Sequence, residues 1–223
     1  PACTPCQPYR SVKGHAMNTE TLFAAGLFAV VSSVTPGPNN TMLMASGVNF
    51  GFRRSQRHLW GVNLGFTFML LCVGLGLHSV LDRFPQFYDV LRYLGSAYML
   101  WIAWKLASAR PAPTSGTHAA EPGNPAILRP MGFWAAAAFQ WINPKAWVMA
   151  VTCMSTYLSP NAGAAQVALL AGLFMVMGAP CSAFWVGFGQ AMRGLLQDPL
   201  RLRIFNITMA LALVASLYPM LKG

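Results

Sequence analysis

Apolar residues run in six long stretches along this chain, and prolines interrupt two of them near the middle. Crossing about 30 Å of hydrocarbon takes roughly 20 helical residues. Six segments meet that length: Leu22–Ser46, Leu59–Leu81, Phe87–Leu106, Phe133–Tyr157, Ala164–Gln190 and Leu200–Leu221. The first is broken at Thr35-Pro36-Gly37-Pro38-Asn39-Asn40 and the fourth at Trp141-Ile142-Asn143-Pro144-Lys145-Ala146. Proline removes a backbone donor and clashes with the preceding turn, so each site predicts a locally opened helix. Pro180 predicts a kink in the fifth stretch, and Gly61 and Gly65 give the second a small-xxx-small face for close packing.

The stretch Ala109–Pro130, rich in Pro, Gly, Ala and Thr, reads as a flexible connection. It divides the chain into two sets of three spans: repeat one at 17–108, the loop at 109–130, and repeat two at 131–223. An odd number of spans per half forces the halves into opposite orientations. The expected architecture is therefore an all-α integral membrane protein, six transmembrane helices in two inverted three-helix repeats, with a broken helix opening each half. Residues 1–16 are polar and patternless and read as a disordered or non-native N-terminal extension, with Met17 as the start of the 17–223 transporter domain. No signal peptide is read, because the first apolar run is too long and others follow it.

Composition agrees with a membrane setting. The chain of 223 residues is 55% hydrophobic and 9% charged, against about 25% charged in a soluble domain. Its net charge is +10. A nucleic-acid surface would cluster that charge on one basic face. Here the positives fall in alternate connections: Arg53, Arg54 and Arg57, then Lys105, Arg110 and Arg129, then Arg193, Arg201 and Arg203. The opposite side holds Arg10, Lys13, Arg83, Arg92 and Lys222. The positive-inside rule then places both termini outside. Trp60, Trp101, Trp104 and Tyr88 sit near span ends as interfacial anchors. The 13 methionines read as lipid-facing filler.

Lys145 is the remaining positive. It lies at the middle of its span, where a charge costs roughly 2.5–3.5 kcal/mol and is a candidate for substrate or ion handling; the competing reading is a lysine that snorkels to an interface, against which its central position argues. The five acids are Glu20, Asp82, Asp89, Glu121 and Asp198. None is mid-span, so a substrate carboxylate is the expected counter-charge. The N-termini of broken helices offer backbone N–H groups to the same anion. Asn39, Asn40, Gln140 and Asn143 offer donors and acceptors suited to a zwitterion. Asn39 and Asn40 also read as caps of the helix after the Pro-Gly-Pro turn. The candidate substrate site is thus Pro36, Gly37, Pro38, Asn39, Asn40, Gln140, Asn143, Pro144 and Lys145.

Other chemistry finds little footing. Cys72, Cys153 and Cys181 lie in apolar stretches as small buried hydrophobes. Cys3 and Cys6 match C-x-x-C without a second pair or a His cluster, so no metal or cofactor is expected. His78, near a span end, reads as a packing residue, and the sequon Asn39-Asn40-Thr41 is discarded as buried in a span. No catalytic constellation is present, and no enzyme is expected.

Four motifs resemble the LysE/RhtB family of bacterial amino-acid exporters. They are Thr35-Pro36-Gly37-Pro38-Asn39; Gly51-Phe52-Arg53-Arg54 with Gly61 and Gly65; Leu94-Gly95-Ser96-Ala97-Tyr98-Met99-Leu100-Trp101; and Phe133 with Asn143-Pro144-Lys145-Ala146. The resemblance covers most of residues 17–157. It implies a six-helix exporter in the bacterial inner membrane, driven by the proton gradient, with an amino acid or close derivative as substrate and a possible homo-oligomeric state. With no buried acid for a cationic substrate, the expected substrate is neutral, of the homoserine, threonine or leucine kind. Lys145 becomes the candidate proton carrier, since desolvation disfavours a charged amine. An uncoupled channel and a non-transporting scaffold are the competing readings; two opened helices serve transport and do nothing for a scaffold.

Overall fold

The computed structural model describes residues 18–77, 86–108, 129–159, 162–196 and 198–215. All regular structure among them is helical. α1 (Thr19–Val34) and α2 (Pro38–Phe50) meet at an angle of 56°. Then come α3 (Gln56–Cys72) with a π-turn at Val73–Leu77, and α4 (Gln86–Ala107). α5 (Phe133–Phe139) passes through one 3-10 turn (Gln140–Ile142) into α6 (Pro144–Tyr157). α7 (Ala164–Met192) and α8 (Pro199–Ala215) complete the order.

Both expected breaks are present, and they share one design. Pro38 and Pro144 each occupy the first turn of the helix that follows. There the missing N–H costs nothing and the fixed φ suits the start of a helix. The Gly76 backbone is left-handed (φ 111°), so helical geometry lapses inside the stretch expected to run unbroken from Leu59 to Leu81. Helical structure continues through Pro180 without interruption. Residues 1–16, His78, the loop interior and the side chain of Tyr88 lie outside what is described.

Among the described residues, α3 with its π-turn and α7 are long and apolar enough to cross a membrane, and the bent α1–α2 pair makes a third span if counted as one. α4 has the length but is diluted by Asp89, Arg92 and Lys105. α8 has 17 described residues.

α7 is the central strut and packs on α1, α2 and α3; α3 also packs on α5, and α4 on α8. Glycines set the close approaches. A Cβ on Gly61 would lie 2.8 Å from Ala136 Cβ, and one on Gly65 would lie 2.5 Å from Ala137 Cα, so the small-residue face of α3 serves its contact with α5. A Cβ on Gly47 would overlap the Val186 carbonyl oxygen, and one on Gly189 the Met44 carbonyl oxygen. The α2 and α7 backbones therefore touch directly. One apolar cluster joins α1, α3, α6 and α7 around Met69, Leu70, Ala150, Cys153 and Phe174. A second joins α2, α4 and α8 around Met42, Met99, Ala103 and Leu213.

The methionines correct an expectation. Met69 and Met99 are fully buried, and Met42, Met44 and Met154 nearly so. Rather than facing lipid, these thioethers fill irregular gaps between helices, as an unbranched, adaptable side chain does. The exposed surface instead carries Phe23, Trp134, Val148, Phe184 and Leu211. Trp60, Trp101 and Trp104 are exposed as well, with Lys105 Nζ 3.8 Å from the Trp101 ring centre.

Candidate functional site

Opening α1 leaves carbonyls without helical partners. Asn40 supplies two bonds from one amide: its Nδ2 donates to Ser33 O at 2.7 Å and to Thr35 O at 2.9 Å. Asn40 therefore closes the C-terminus of α1. It does not cap α2 as expected, because Gly37 holds the cap position and no side chain bonds to that end. No side chain bonds to the first N–H groups of α2, at Asn39 and Asn40.

The second break is closed differently. Asn143 caps α6, its Oδ1 accepting from Lys145 N at 3.1 Å. Trp147 Nε1 donates to Trp141 O at 2.8 Å. The α6 N-terminus is thus capped by Asn143, whereas the α2 N-terminus carries no side-chain cap.

Two contacts join the breaks. Asn39 and Gln140 pair their amides reciprocally, Nδ2 to Oε1 at 2.8 Å and Nε2 to Oδ1 at 3.2 Å. Gln140, fully buried, also donates to Ala136 O at 2.9 Å. Lys145 Nζ reaches across to donate to Thr35 O at 2.6 Å and to Pro36 O at 3.5 Å. A cation on the negative end of a helix is a favourable placement. It gives Lys145 a partner that a search for carboxylates misses. Gly37 makes room for it: a Cβ there would lie 2.8 Å from Lys145 Cδ.

These groups border a cavity of about 50 Å³. Gly37, Asn39, Asn40, Asn143 and Lys145 line it. The remaining candidates do not: Gln140 stands behind Asn39, and Pro36, Pro38 and Pro144 shape the backbone. Sequence reasoning missed the opposite wall, where α1, α3 and α7 contribute Ser33, Asn63, Phe66, Phe174 and Ser182. The available signal was a polar residue inside an apolar span, Asn63 between Gly61 and Gly65.

The amide pair yields a stability prediction. Asn39→Ala leaves part of the buried Gln140 amide unpaired, at a cost of about 1–3 kcal/mol, while replacing both partners by apolar residues of similar shape is nearly neutral. Asn39→Ala is expected to lower the melting temperature in detergent, and Asn39→Leu/Gln140→Leu to recover most of the loss. Equal melting of Asn39→Ala and wild type would refute the pairing.

A family model described as LysE type translocator matches residues 30–215. The chain belongs to this family. Curated relatives agree. A cysteine/O-acetylserine efflux protein of Escherichia coli (strain K12) is 34% identical over 203 residues, covering 88% of this chain and 95% of that protein. A protein of the same name from Klebsiella pneumoniae subsp. pneumoniae is 38% identical over 144 residues, covering 64% of this chain and 68% of its own length. Another from Shigella flexneri is 34% identical over 199 residues, covering 86% and 93%. No solved structure matches. This LysE-type translocator is accordingly a membrane protein and an amino-acid efflux transporter, not an enzyme.

Proposed function

We propose that this translocator exports small neutral amino acids and their derivatives, cysteine and O-acetylserine among them, from the bacterial cytoplasm across the inner membrane. The observation that carries the reading is the meeting of the two breaks. Lys145 and the uncapped N-terminus of α2 border one cavity, together with the amides of Asn39, Asn40 and Asn143. A substrate carboxylate would bind the N–H groups of α2 and draw the Lys145 ammonium from Thr35 O. The amides would take the amino group. Glu20 and Asp198 are exposed and do not line the cavity, which disfavours a cationic substrate. The relatives' named solutes carry side chains largely uncharged at neutral pH, which agrees.

Transport follows alternating access of two inverted three-helix repeats with six spans, both termini outside. The packing supports this pairing: α1 lies on α7, and its counterpart α5 lies on α3, the counterpart of α7. Export is driven by the proton gradient, with Lys145 giving up its proton in one conformation. The test is efflux from preloaded cells. Saturable, uncoupler-sensitive, trans-stimulated loss of labelled cysteine and O-acetylserine, with lysine retained, is expected. Loss that never saturates would replace the carrier by a pore, and no loss above empty cells would remove the transport reading for these solutes.

A further inference from the structure

We propose that Ser33, Asn63 and Ser182 form a side-chain subsite that selects substrates with a polar atom beyond Cβ over aliphatic ones of equal size; this rests on the exporter reading above. The three come from α1, α3 and α7; Ser33 and Asn63 meet over a residue without a side chain, and Ser182 is bonded to Asn63. A Cβ on Gly178 would lie 3.5 Å from both Asn63 Oδ1 and Ser33 Oγ. Ser182 Oγ donates to Asn63 Oδ1 at 3.3 Å, and Asn63 Nδ2 donates to Leu59 O at 2.8 Å. Asn63 and Ser182 are buried, and their bonds to each other and to the backbone fix them in place.

Ser33 differs. It is half-buried, and its hydroxyl has no hydrogen-bond partner among the described residues. It is free to donate to an ester carbonyl or to accept from a hydroxyl or thiol. Asn63 Oδ1 keeps a second lone pair for the same purpose. Phe66, Phe174 and Met149 complete this wall of the cavity and suit the methyl group of an acetyl ester. With the zwitterionic end held at the two breaks, the side chain of a bound amino acid extends toward α3 and α7. An aliphatic side chain there would leave the Ser33 hydroxyl unpaired and the second lone pair of Asn63 Oδ1 unused. Sites built to hydrogen-bond a substrate reject analogues that cannot return the bond, whereas a purely apolar pocket separates neighbours by only about 10- to 200-fold.

The experiment is competition in proteoliposomes holding the full chain. Cysteine is set against 2-aminobutyrate, and O-acetylserine against norleucine. The wild type is expected to prefer the polar member of each pair by more than about 200-fold, beyond what an apolar pocket gives. Ser33→Ala breaks no protein hydrogen bond, so it should fold and bring both ratios to within about threefold. Gly178→Ala fills the hollow at ordinary contact distance and should depress O-acetylserine more than the smaller cysteine. Ratios unchanged in both variants, with wild-type transport intact, would overturn the subsite and leave the exporter reading standing. A wild type that moves none of the four solutes would sink both.

Discussion

Lys145→Met is expected to cut efflux by about ten- to a hundredfold while the protein stays folded. A hydrogen bond to a charged group is worth about 1.5–3 kcal/mol, and each 1.4 kcal/mol is a factor of ten in affinity. Met keeps the length and apolar stem of Lys and loses only the ammonium. Its departure does not strand the first break, because Thr35 O still accepts from Asn40 Nδ2 at 2.9 Å. Melting in detergent should therefore be close to wild type. Lys145→Arg separates the two roles assigned to this residue. Arginine keeps the charge and does not release a proton in proteins, so substrate counterflow should survive better than uphill efflux. Gly37→Ala approaches the same contact from the other side. The Gly37 backbone is extended (φ −180°) and any residue adopts it, so the added methyl acts only by crowding Lys145. Wild-type efflux from a well-expressed Lys145→Met protein would remove Lys145 from the mechanism.

The second large effect is on folding. Gly189→Leu should lose most of its folded protein, with a cost of order 3 kcal/mol, the upper end for overpacked sites. The neighbours are backbone: beyond the overlap with the Met44 carbonyl, the new Cβ would sit 3.1 Å from Met44 Cα. No rotamer change relieves that, so α2 and α7 would have to part. Gly187→Leu is the control, on the same helix with nothing within 4 Å of its Cβ position. Size-exclusion profiles of the two detergent-solubilised variants decide the matter. Equal monodispersity would mean that the direct α2–α7 contact is dispensable.

What the sequence made legible follows from how local each signal is. A proline acts within its own turn, so both breaks and the helices after them could be read from Pro36, Pro38 and Pro144. The Gly61/Gly65 spacing likewise announced a close contact, though not that α5 would make it. Lys145 stood out as a charge in an apolar run. Its partner did not, because a backbone carbonyl leaves no mark in a sequence: every residue has one, and only the fold decides that Thr35 O is open. Asn40 was misread for the same reason, since capping the next helix and closing the previous one ask for the same side chain. The Ser182–Asn63 bond spans 119 positions and has no local signature. The methionines were misplaced because hydropathy does not distinguish a lipid-facing thioether from a buried one.

The bond from Lys145 to Thr35 has one more consequence. If Lys145 takes the substrate carboxylate as proposed, the Thr35 carbonyl is its competitor in the empty protein. While the ammonium rests on that carbonyl, only the fraction of molecules with a free cation is ready for solute, and apparent affinity falls by that fraction. On the substrate-binding role proposed for Lys145, export would rise with solute concentration over a range set by the strength of a single hydrogen bond, Lys145 Nζ to Thr35 O.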